Sequence, residues 1–518
     1  MIDILKKINE NTSKYPERIF YKEIIDGGLL GNTLTWKKLN EYSDALAKYM
    51  DEVCTSKQPV MVYGHKSPYM VVCFLACMKS GRAYCPLDFF SIPKSRVIDI
   101  IDEVQPEIIL MPDNGLDDDY SLTCDSAIIL KDKLNEIYEC KGDIEKLKPL
   151  SISDNCYIIF TSGSSGKPKG VQISYGCLCN YVEWAVTLLD EEFNKGYVFL
   201  NQAPFSFDLS VMDLYLALYT GGTLAACCKS VQGDYASLMA GIQKVGINVW
   251  VSTPSFADMC LMIRIFNEEL LPKLKTFLFC GEVLTNKTVQ KLYKRFPNVK
   301  IINTYGPTES TVCMTSVLVD EKMSNEISPL PVGIVKTGTW VYIWNEKKEC
   351  VKDGEQGEIV IVGNTVSSGY LNRPDLNQEK FGTIEVNNKV YRFYRTGDKG
   401  YLKDGMLFYT GRMDSQIKLH GYRIEIEDVE SNLMKASNVS QVAVYANEKN
   451  GKVEELVACV VLKNYNAEAQ CSELIKLREE LKGILPYYMI PKKIRIYDSL
   501  PMTTNGKVDR KKLKDMNV

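Results

Sequence analysis

Residues Tyr197–Gly222 read YVFLNQAPFSFDLSVMDLYLALYTGG. The first part, YVFLNQAPF, is a β-rich run, and Ser210 to Tyr219 carries a helical pattern that stops at Gly221 and Gly222. Glycine ends a helix readily because it enters the left-handed backbone region without steric cost. A strand running into a helix is half of a βαβ unit, and the same order recurs on both sides. Upstream, PVMVYG precedes a helix expected from Tyr69 to Lys79. Downstream, NVWVSTPSF precedes an apolar helix around Met259, TFLFCGE precedes TVQKLYKRF, and KIINTYG breaks into a loop. This alternation, from about residue 58 to 305, predicts a parallel α/β architecture. Open parallel sheets take ligands beyond the carboxyl ends of their strands. TSGSSG, FSFD, STPS, FCGE and NTYGPTE all fall at such ends, so one cleft could hold them all.

After residue 330 the character changes to Gly-rich β segments, among them EQGEIVIVGNTVSSGY and YRFYRTGDKGYL, and the last hundred residues pattern as a small α+β unit. A boundary is expected near Asp414. The chain therefore reads as α/β: a large N-terminal domain over 1–413, built of α/β subdomains with a β-rich subdomain, and a small α+β C-terminal domain over 414–518. There is no internal repeat or low-complexity linker, and the terminal VDRKKLKD reads as a solvated tail.

At 518 residues the chain is too long for one core, and its 45% hydrophobic and 25% charged content is ordinary for a soluble globular protein. A net charge of -3 supplies no basic field for nucleic acid. The N-terminal MIDILKKINENTSKYPE alternates like an amphipathic helix, and the nearby apolar run VVCFLACM is far short of the ~20 residues a membrane span needs. No membrane insertion is expected. The 17 cysteines are odd in number and form no C-x-x-C pair, which favours neither a disulfide framework nor a zinc site and fits a reducing cytoplasm.

Thr161 to Gly170, TSGSSGKPKG, is rich in glycine and serine and carries Lys167 and Lys169. Glycines let backbone N–H groups converge on phosphate oxygens, and the lysines oppose their charge. The Walker pattern is absent, since Gly163 and Gly166 are too close and Pro168 follows Lys167. In isolation such a loop is equally a mobile Gly/Ser turn with solvated lysines.

In chain order, nine stretches follow one another: LTWKKLN, MKSGRAYCPLD, TSGSSGKPKG, FSFDLS, NTYGPTE, GEIVIVGNTVSSGY, YRTGD, GRMDSQIKLHGYRIEIEDVE and NGKVDR. Together they resemble the motifs of the adenylate-forming enzymes, which include peptide synthetase adenylation domains, acyl-CoA synthetases and firefly luciferase. The resemblance runs nearly end to end. Through NQAPFSFDLSVMDLY, NVWVSTPSF, TFLFCGEVL and KLHGYRIEIEDVE it leans toward the branch that loads D-alanine onto a carrier protein. Glu427 stands where peptide synthetase domains usually place glycine.

The resemblance implies ATP and Mg²⁺, and attack of a substrate carboxylate on the α-phosphate with loss of pyrophosphate. A carboxylate needs no deprotonation at pH 7, so catalysis rests on positioning and charge stabilisation. A chain with only two histidines can supply that. Lys507 is the implied catalytic cation, also touching ATP and substrate. Thr161, Ser162, Gly163 and Lys169 are implied for the phosphates. Asn303, Thr304, Tyr305, Gly306, Pro307 and Thr308 would line the nucleotide, with Tyr305 stacked on adenine and Glu309 binding Mg²⁺. Asp398 would take the ribose hydroxyls, with Tyr409, Thr410, Gly411 and Arg412 beside it. Asp208 would hold the substrate's α-ammonium, and Cys280, Gly306 and Val312, with Met212, would line a small side-chain pocket. A hinge at Asp414 would let a mobile C-terminal domain withdraw Lys507 and bring Gly421 to Glu425 in for thioester formation.

Taken alone, each residue has a plainer reading. Lys507 is a lysine in an Asn-Gly turn, Glu309 a helix-start carboxylate, Asp208 a helix N-cap, and Cys280 one of 17 cysteines that are mostly core. With eleven residues after Lys507, the acceptor is expected to be a separate, small, acidic, phosphopantetheinylated D-alanyl carrier protein, charged for D-alanylation of teichoic acids. Three other readings stand beside it: a free-standing peptide synthetase adenylation enzyme for another small amino acid, differing around Cys280; an acyl-CoA synthetase, which has no need of Asp208; and a non-enzymatic binding protein that keeps the nucleotide fold, against which the intact set of charged residues argues.

Overall fold

The computed structural model describes residues 2–113, 126–140, 144–163, 166–449, 452–464, 470–502 and 508–516. The unit at 197–222 forms a strand, Val198–Asn201, and a helix, Leu209–Thr220, whose N–H at Gly221 (φ 70°) returns to the Ala217 carbonyl. All of this helix but Tyr219 is buried, as suits a segment apolar on every face. Its single buried carboxylate, Asp213, accepts from Asn201 Nδ2 at 2.9 Å. Asn201 Oδ1 in turn accepts from the fully buried Lys66 ammonium at 2.6 Å. Buried polar groups are tolerated when linked in this way.

Val198–Asn201 belongs to a nine-stranded sheet. Its order is Ile334–Val335, Thr315–Leu318, Lys300–Tyr305, Thr276–Phe279, Val249–Ser252, Val198–Asn201, Thr223–Cys227, Ile19–Ile25, Leu29–Thr35. The strands from Lys300–Tyr305 to Ile19–Ile25 are parallel, and the edges are antiparallel. A second sheet has the order Gly369–Tyr370, Lys169–Ser174, Asn155–Thr161, Tyr84–Asp88, Val60–Gly64, Ile108–Met111, Ala127–Leu130. Helices Pro68–Lys79 and Leu209–Thr220 share one apolar cluster with residues of both sheets. A third, antiparallel sheet runs Thr339–Trp344, Gly357–Gly363, Lys389–Lys403, Phe381–Val386, with Met406–Arg412 paired to Lys389–Lys403. The α/β expectation with a β-rich part holds.

Beyond Asp414 the chain forms the hairpin Ile417–Leu419 with Tyr422–Ile424, and a sheet of Val439–Lys449, Lys452–Leu462 and Lys493–Ile496. Helices Ile426–Leu433 and Gln470–Lys482 share an apolar cluster with these strands. By compactness the chain divides into two units. The first is Met1–Asp88, Val104–Ile159 and Gly170–Met413, and the second is Phe89–Glu103, Phe160–Lys169 and Asp414–Val518. Among the described residues no helix is long and apolar enough to cross a membrane.

Lys336 is another buried lysine, 3% exposed, and its ammonium donates to Asn180 Oδ1. Burial lowers its pKa to about 8, against the raising influence of Cys313, Cys177 and Glu183. Between that value and the unfolded pKa of ~10.4 the folded chain binds fewer protons than the unfolded chain, so this group makes stability rise with pH. The urea midpoint of the wild type should therefore rise relative to Lys336→Met from about pH 7.5 to about pH 9.5. Parallel pH profiles for the two proteins would refute this.

Candidate active site

Val249–Ser252, Thr276–Phe279 and Lys300–Tyr305 run parallel with Ser252 opposite Phe279 and Phe279 opposite Asn303. Their carboxyl ends, and the residues that follow, are therefore neighbours. Thr304 Oγ1 donates to the Phe279 carbonyl at 2.8 Å, and Asn303 Nδ2 to the Pro331 carbonyl at 2.9 Å. At Gly306 the chain passes so close to the segment at Val312 and Cys313 that a Cβ would lie 2.5 Å from Cys313 Cα. Pro307 then precedes a single turn, Thr308–Ser310.

Thr311 and Val312 follow with φ of 61° and 66°. Such values are strained for β-branched residues and persist only where surroundings enforce them. Here Thr311 Oγ1 donates to the Thr365 carbonyl at 2.9 Å, while Thr365 Oγ1 donates to the Ser310 carbonyl at 2.6 Å. The turn brings Val312 back toward the strand ends, where Cys280 Sγ donates to its carbonyl at 3.8 Å. Cys280, Gly306 and Val312 thus meet. Burial, with Cys280 adding to it, holds the Cys313 thiol well above its ordinary pKa. Met212 lies fully buried on the helix Leu209–Thr220.

Asp398 is 1% exposed and is gripped from two sides. Tyr305 Oη donates to Oδ2 at 2.5 Å and Arg412 Nη1 to Oδ1 at 2.8 Å. Burial first, then the Asp398 charge, raises the Tyr305 phenol well above its usual pKa, so it remains the donor. The Tyr409 ring lies 6.0 Å from that of Tyr305, and Gly411 takes a φ of 133°. Thr410 Oγ1 instead donates outward to the Lys399 carbonyl at 3.1 Å. The backbone at Asp398 is held by Thr396 Oγ1, which accepts from its N–H at 2.9 Å and donates to the Ile359 carbonyl at 2.7 Å.

Asp208 occupies the N-cap position of Leu209–Thr220 but has αR backbone and makes no side-chain cap bond. The capping role that position suggests is not taken. The nearby Tyr157 hydroxyl is raised well above its ordinary pKa by burial and, to a lesser degree, by the Tyr84 and Asp208 charges. Glu309, wholly buried, accepts from Tyr370 Oη at 2.6 Å.

In the second unit, Ser162 Oγ donates to the Arg423 carbonyl at 2.8 Å and accepts from Glu425 N–H at 3.3 Å. Lys169 Nζ lies 3.4 Å from Glu425 Oε1. A Cβ on Gly163 would lie 2.3 Å from the Lys167 carbonyl oxygen, so the loop needs glycine there. Thr161 Oγ1 is buried with no hydrogen-bond partner among the described residues. Asp414 Oδ1 accepts from Gln416 N–H at 3.2 Å. Lys507 lies outside the described residues. Three residues on, Arg510 pairs with Glu430 at 2.7 Å.

Sequence reasoning missed Tyr370, Tyr394, Glu358 and Arg395. Arg395 donates to Glu358 Oε2 from Nε and Nη2 at 3.0 and 2.7 Å, and Glu358 Oε1 accepts from Gly397 N–H at 3.1 Å, steadying the approach to Asp398. All four lie inside GEIVIVGNTVSSGY and YRTGD. Their place in those stretches was the available signal.

The AMP-binding enzyme family matches residues 8–371, and the AMP-binding enzyme C-terminal domain matches 428–507. D-alanine–D-alanyl carrier protein ligases of Bacillus cereus (strain AH187) and Bacillus anthracis are each 46% identical over 485 residues, 93% of this chain and 94% of theirs. Among solved structures, an artificially fused adenylation-PCP di-domain peptide synthetase from Klebsiella oxytoca has a TM-score of 0.81 at 22% identity, covering 95% of this chain and 93% of that one. The o-succinylbenzoate CoA synthetase of Bacillus subtilis also scores 0.81, at 19% identity, covering 98% of each chain. At those identities the structures attest the fold, and the sequence relatives carry the family. The chain belongs to the AMP-binding enzyme family, with D-alanine–D-alanyl carrier protein ligases among its relatives.

Proposed function

We propose that this ligase activates D-alanine as D-alanyl-AMP at the expense of ATP and passes the D-alanyl group to the phosphopantetheine thiol of a separate D-alanyl carrier protein. The charged carrier feeds D-alanylation of lipoteichoic or teichoic acid, and the enzyme works in the cytoplasm. The observation that carries this reading is the Tyr305, Asp398 and Arg412 constellation in a chain 46% identical over 93% of its length to D-alanine–D-alanyl carrier protein ligases.

In the first step a D-alanine carboxylate oxygen bonds to the α-phosphorus of ATP, and the bond from that phosphorus to the bridging oxygen breaks as pyrophosphate leaves. Asp398 accepts from the ribose hydroxyls, since a carboxylate has lone pairs beyond the two used by Tyr305 and Arg412. Asn303, Thr304, Gly306, Pro307 and Thr308 line the nucleotide, and Tyr305 and Tyr409 offer ring faces to adenine. Thr161, Ser162, Gly163 and Lys169 orient the outgoing phosphates. Asp208 pairs with the α-ammonium, and Cys280, Gly306 and Val312 exclude larger side chains. Lys507 supplies charge at the reacting phosphate.

No group of three or more His, Cys, Asp and Glu side chains is placed to hold a metal among the described residues. A lone carboxylate still suits Mg²⁺, which takes one or two carboxylates alongside substrate phosphates and water. Glu309 would hold it, and the bound ion would neutralise charge on the phosphate oxygens.

In the second step the carrier thiol sulfur bonds to the D-alanyl carbonyl carbon, AMP leaves with the electron pair of the acyl–phosphate bond, and the thiol proton passes to water. The division of the chain between Met413 and Asp414 supports Asp414 as the hinge between the two steps. ATP–pyrophosphate exchange across D-alanine, L-alanine, glycine and larger amino acids tests the reading. Exchange should be fastest with D-alanine, and preference for an L-amino acid would sink it.

A further inference from the structure

Three stretches distant in sequence end at one buried cluster. NTYGPTE ends on Glu309, GEIVIVGNTVSSGY ends on Tyr370, and YRTGD begins at Tyr394. These side chains are 0, 2 and 1% exposed. Tyr370 Oη donates to Glu309 Oε1 at 2.6 Å and lies 3.2 Å from Tyr394 Oη. A phenol has one proton. With that of Tyr370 committed to the carboxylate, Tyr394 must donate to the Tyr370 oxygen, so the three groups form a directed chain ending on Glu309.

The chain is rigidly mounted. Tyr370 pairs with Val171 across the sheet, and Leu371 N–H reaches the Gly170 carbonyl at 2.8 Å. Asn377 clasps Tyr370 from both ends, its Oδ1 accepting from the N–H at 2.7 Å and its Nδ2 donating to the carbonyl at 2.8 Å. The clasp needs glycine next door. Gly369 has φ 117°, and a Cβ there would lie 2.7 Å from Asn377 Oδ1. The Phe381 ring packs edge-on to Tyr370 at 5.4 Å and against Tyr394 at 4.9 Å. The Glu309 carbonyl accepts from Ser367 N–H at 2.8 Å, so carboxylate and phenol are both anchored on the run from Ser367 to Leu371.

We infer that Tyr370, backed by Tyr394, is a positioning residue: by fixing Oε1 of Glu309 it sets the plane of the carboxylate that would hold the divalent cation. The inference rests on the reading of Glu309 as the Mg²⁺ ligand. A short bond to an ionised oxygen is among the stronger hydrogen bonds, and loss of a partner that orients a metal ligand typically costs ~10- to 100-fold in metal affinity. A role limited to satisfying a buried carboxylate would lower stability without changing cation affinity.

The test uses Tyr370→Phe, Tyr394→Phe and Glu309→Gln in the full chain, held well below each unfolding midpoint. Mn²⁺ binding in the presence of a non-reactive ATP analogue is read by the electron paramagnetic resonance of free Mn²⁺. The Mg²⁺ concentration for half-maximal pyrophosphate exchange is measured alongside. Tyr370→Phe should weaken Mn²⁺ binding by ~10-fold and raise the Mg²⁺ requirement equally, with the D-alanine KM unchanged. Tyr394→Phe should do the same to a smaller extent, and Glu309→Gln should remove the enzyme's contribution to Mn²⁺ binding. Wild-type Mn²⁺ affinity in Tyr370→Phe, with loss in Glu309→Gln, overturns the positioning role and leaves Glu309 as ligand. Wild-type affinity in Glu309→Gln overturns the ligand reading and this inference with it.

Discussion

Lys507→Ala should slow ATP–pyrophosphate exchange by ~10²- to 10³-fold, the usual consequence of removing one preorganised charge from a developing anion. The same variant supplied with preformed D-alanyl-AMP should load the carrier within a few-fold of the wild type. The split follows from the chemistry of the two steps. Negative charge concentrates around the α-phosphorus only while the carboxylate attacks and pyrophosphate departs, and a cation there has no counterpart in attack by a thiol on a carbonyl carbon. Lys507→Arg should not restore full exchange, because a planar guanidinium cannot replace a compact ammonium as a point charge. Equal slowing of both half-reactions would show that Lys507 supports the fold or the nucleotide generally. Wild-type exchange would remove it from catalysis.

The parts of this molecule that were legible in its sequence are those written in local pattern. Ser210–Tyr219 carries a helical pattern closed by two glycines, so the existence of the helix Leu209–Thr220 could be read directly. The strands ending in STPS, FCGE and NTYGPTE were readable for the same reason, and with them the ends at which Cys280 and Tyr305 to Glu309 cluster. Pairing over long distances was not. Ile19–Ile25 joins the nine-stranded sheet beside Thr223–Cys227, and nothing in its own composition selects that neighbour. The hydrogen bonds that define the site have the same character: Tyr305 to Asp398 spans 93 positions and Tyr370 to Glu309 spans 61. Motif membership singled out Tyr305, Asp398 and Glu309 but not Tyr370, and only the fold shows which atom meets which. Val312 is a different kind of case. Its β-branched side chain argues for extended backbone, yet φ is 66°, a local preference overridden by the hydroxyl bonds of Thr311 and Thr365.

Asp208→Ala should raise the KM for D-alanine by ~10²-fold or more with kcat changed far less, the signature of an interaction made equally in the ground and transition states. The ammonium of D-alanine stays positive through both half-reactions, so a carboxylate partner at Asp208 would supply binding and orientation, and a hydrogen-bonded charge pair truncated on one side commonly costs ~2–5 kcal/mol. Propionate gives the decisive comparison, because it is D-alanine without the ammonium and keeps the carboxylate that attacks ATP. The wild type should favour D-alanine strongly over propionate in the exchange assay. In Asp208→Ala that preference should collapse chiefly through loss of D-alanine activity, leaving propionate near its wild-type rate. The helix should tolerate the change, since Asp208 makes no side-chain cap bond that alanine would remove. Preference for D-alanine that survives the substitution would place the ammonium contact on another residue. Unchanged activity with every carboxylate would favour an enzyme that activates simple acids, for which Asp208 has no partner.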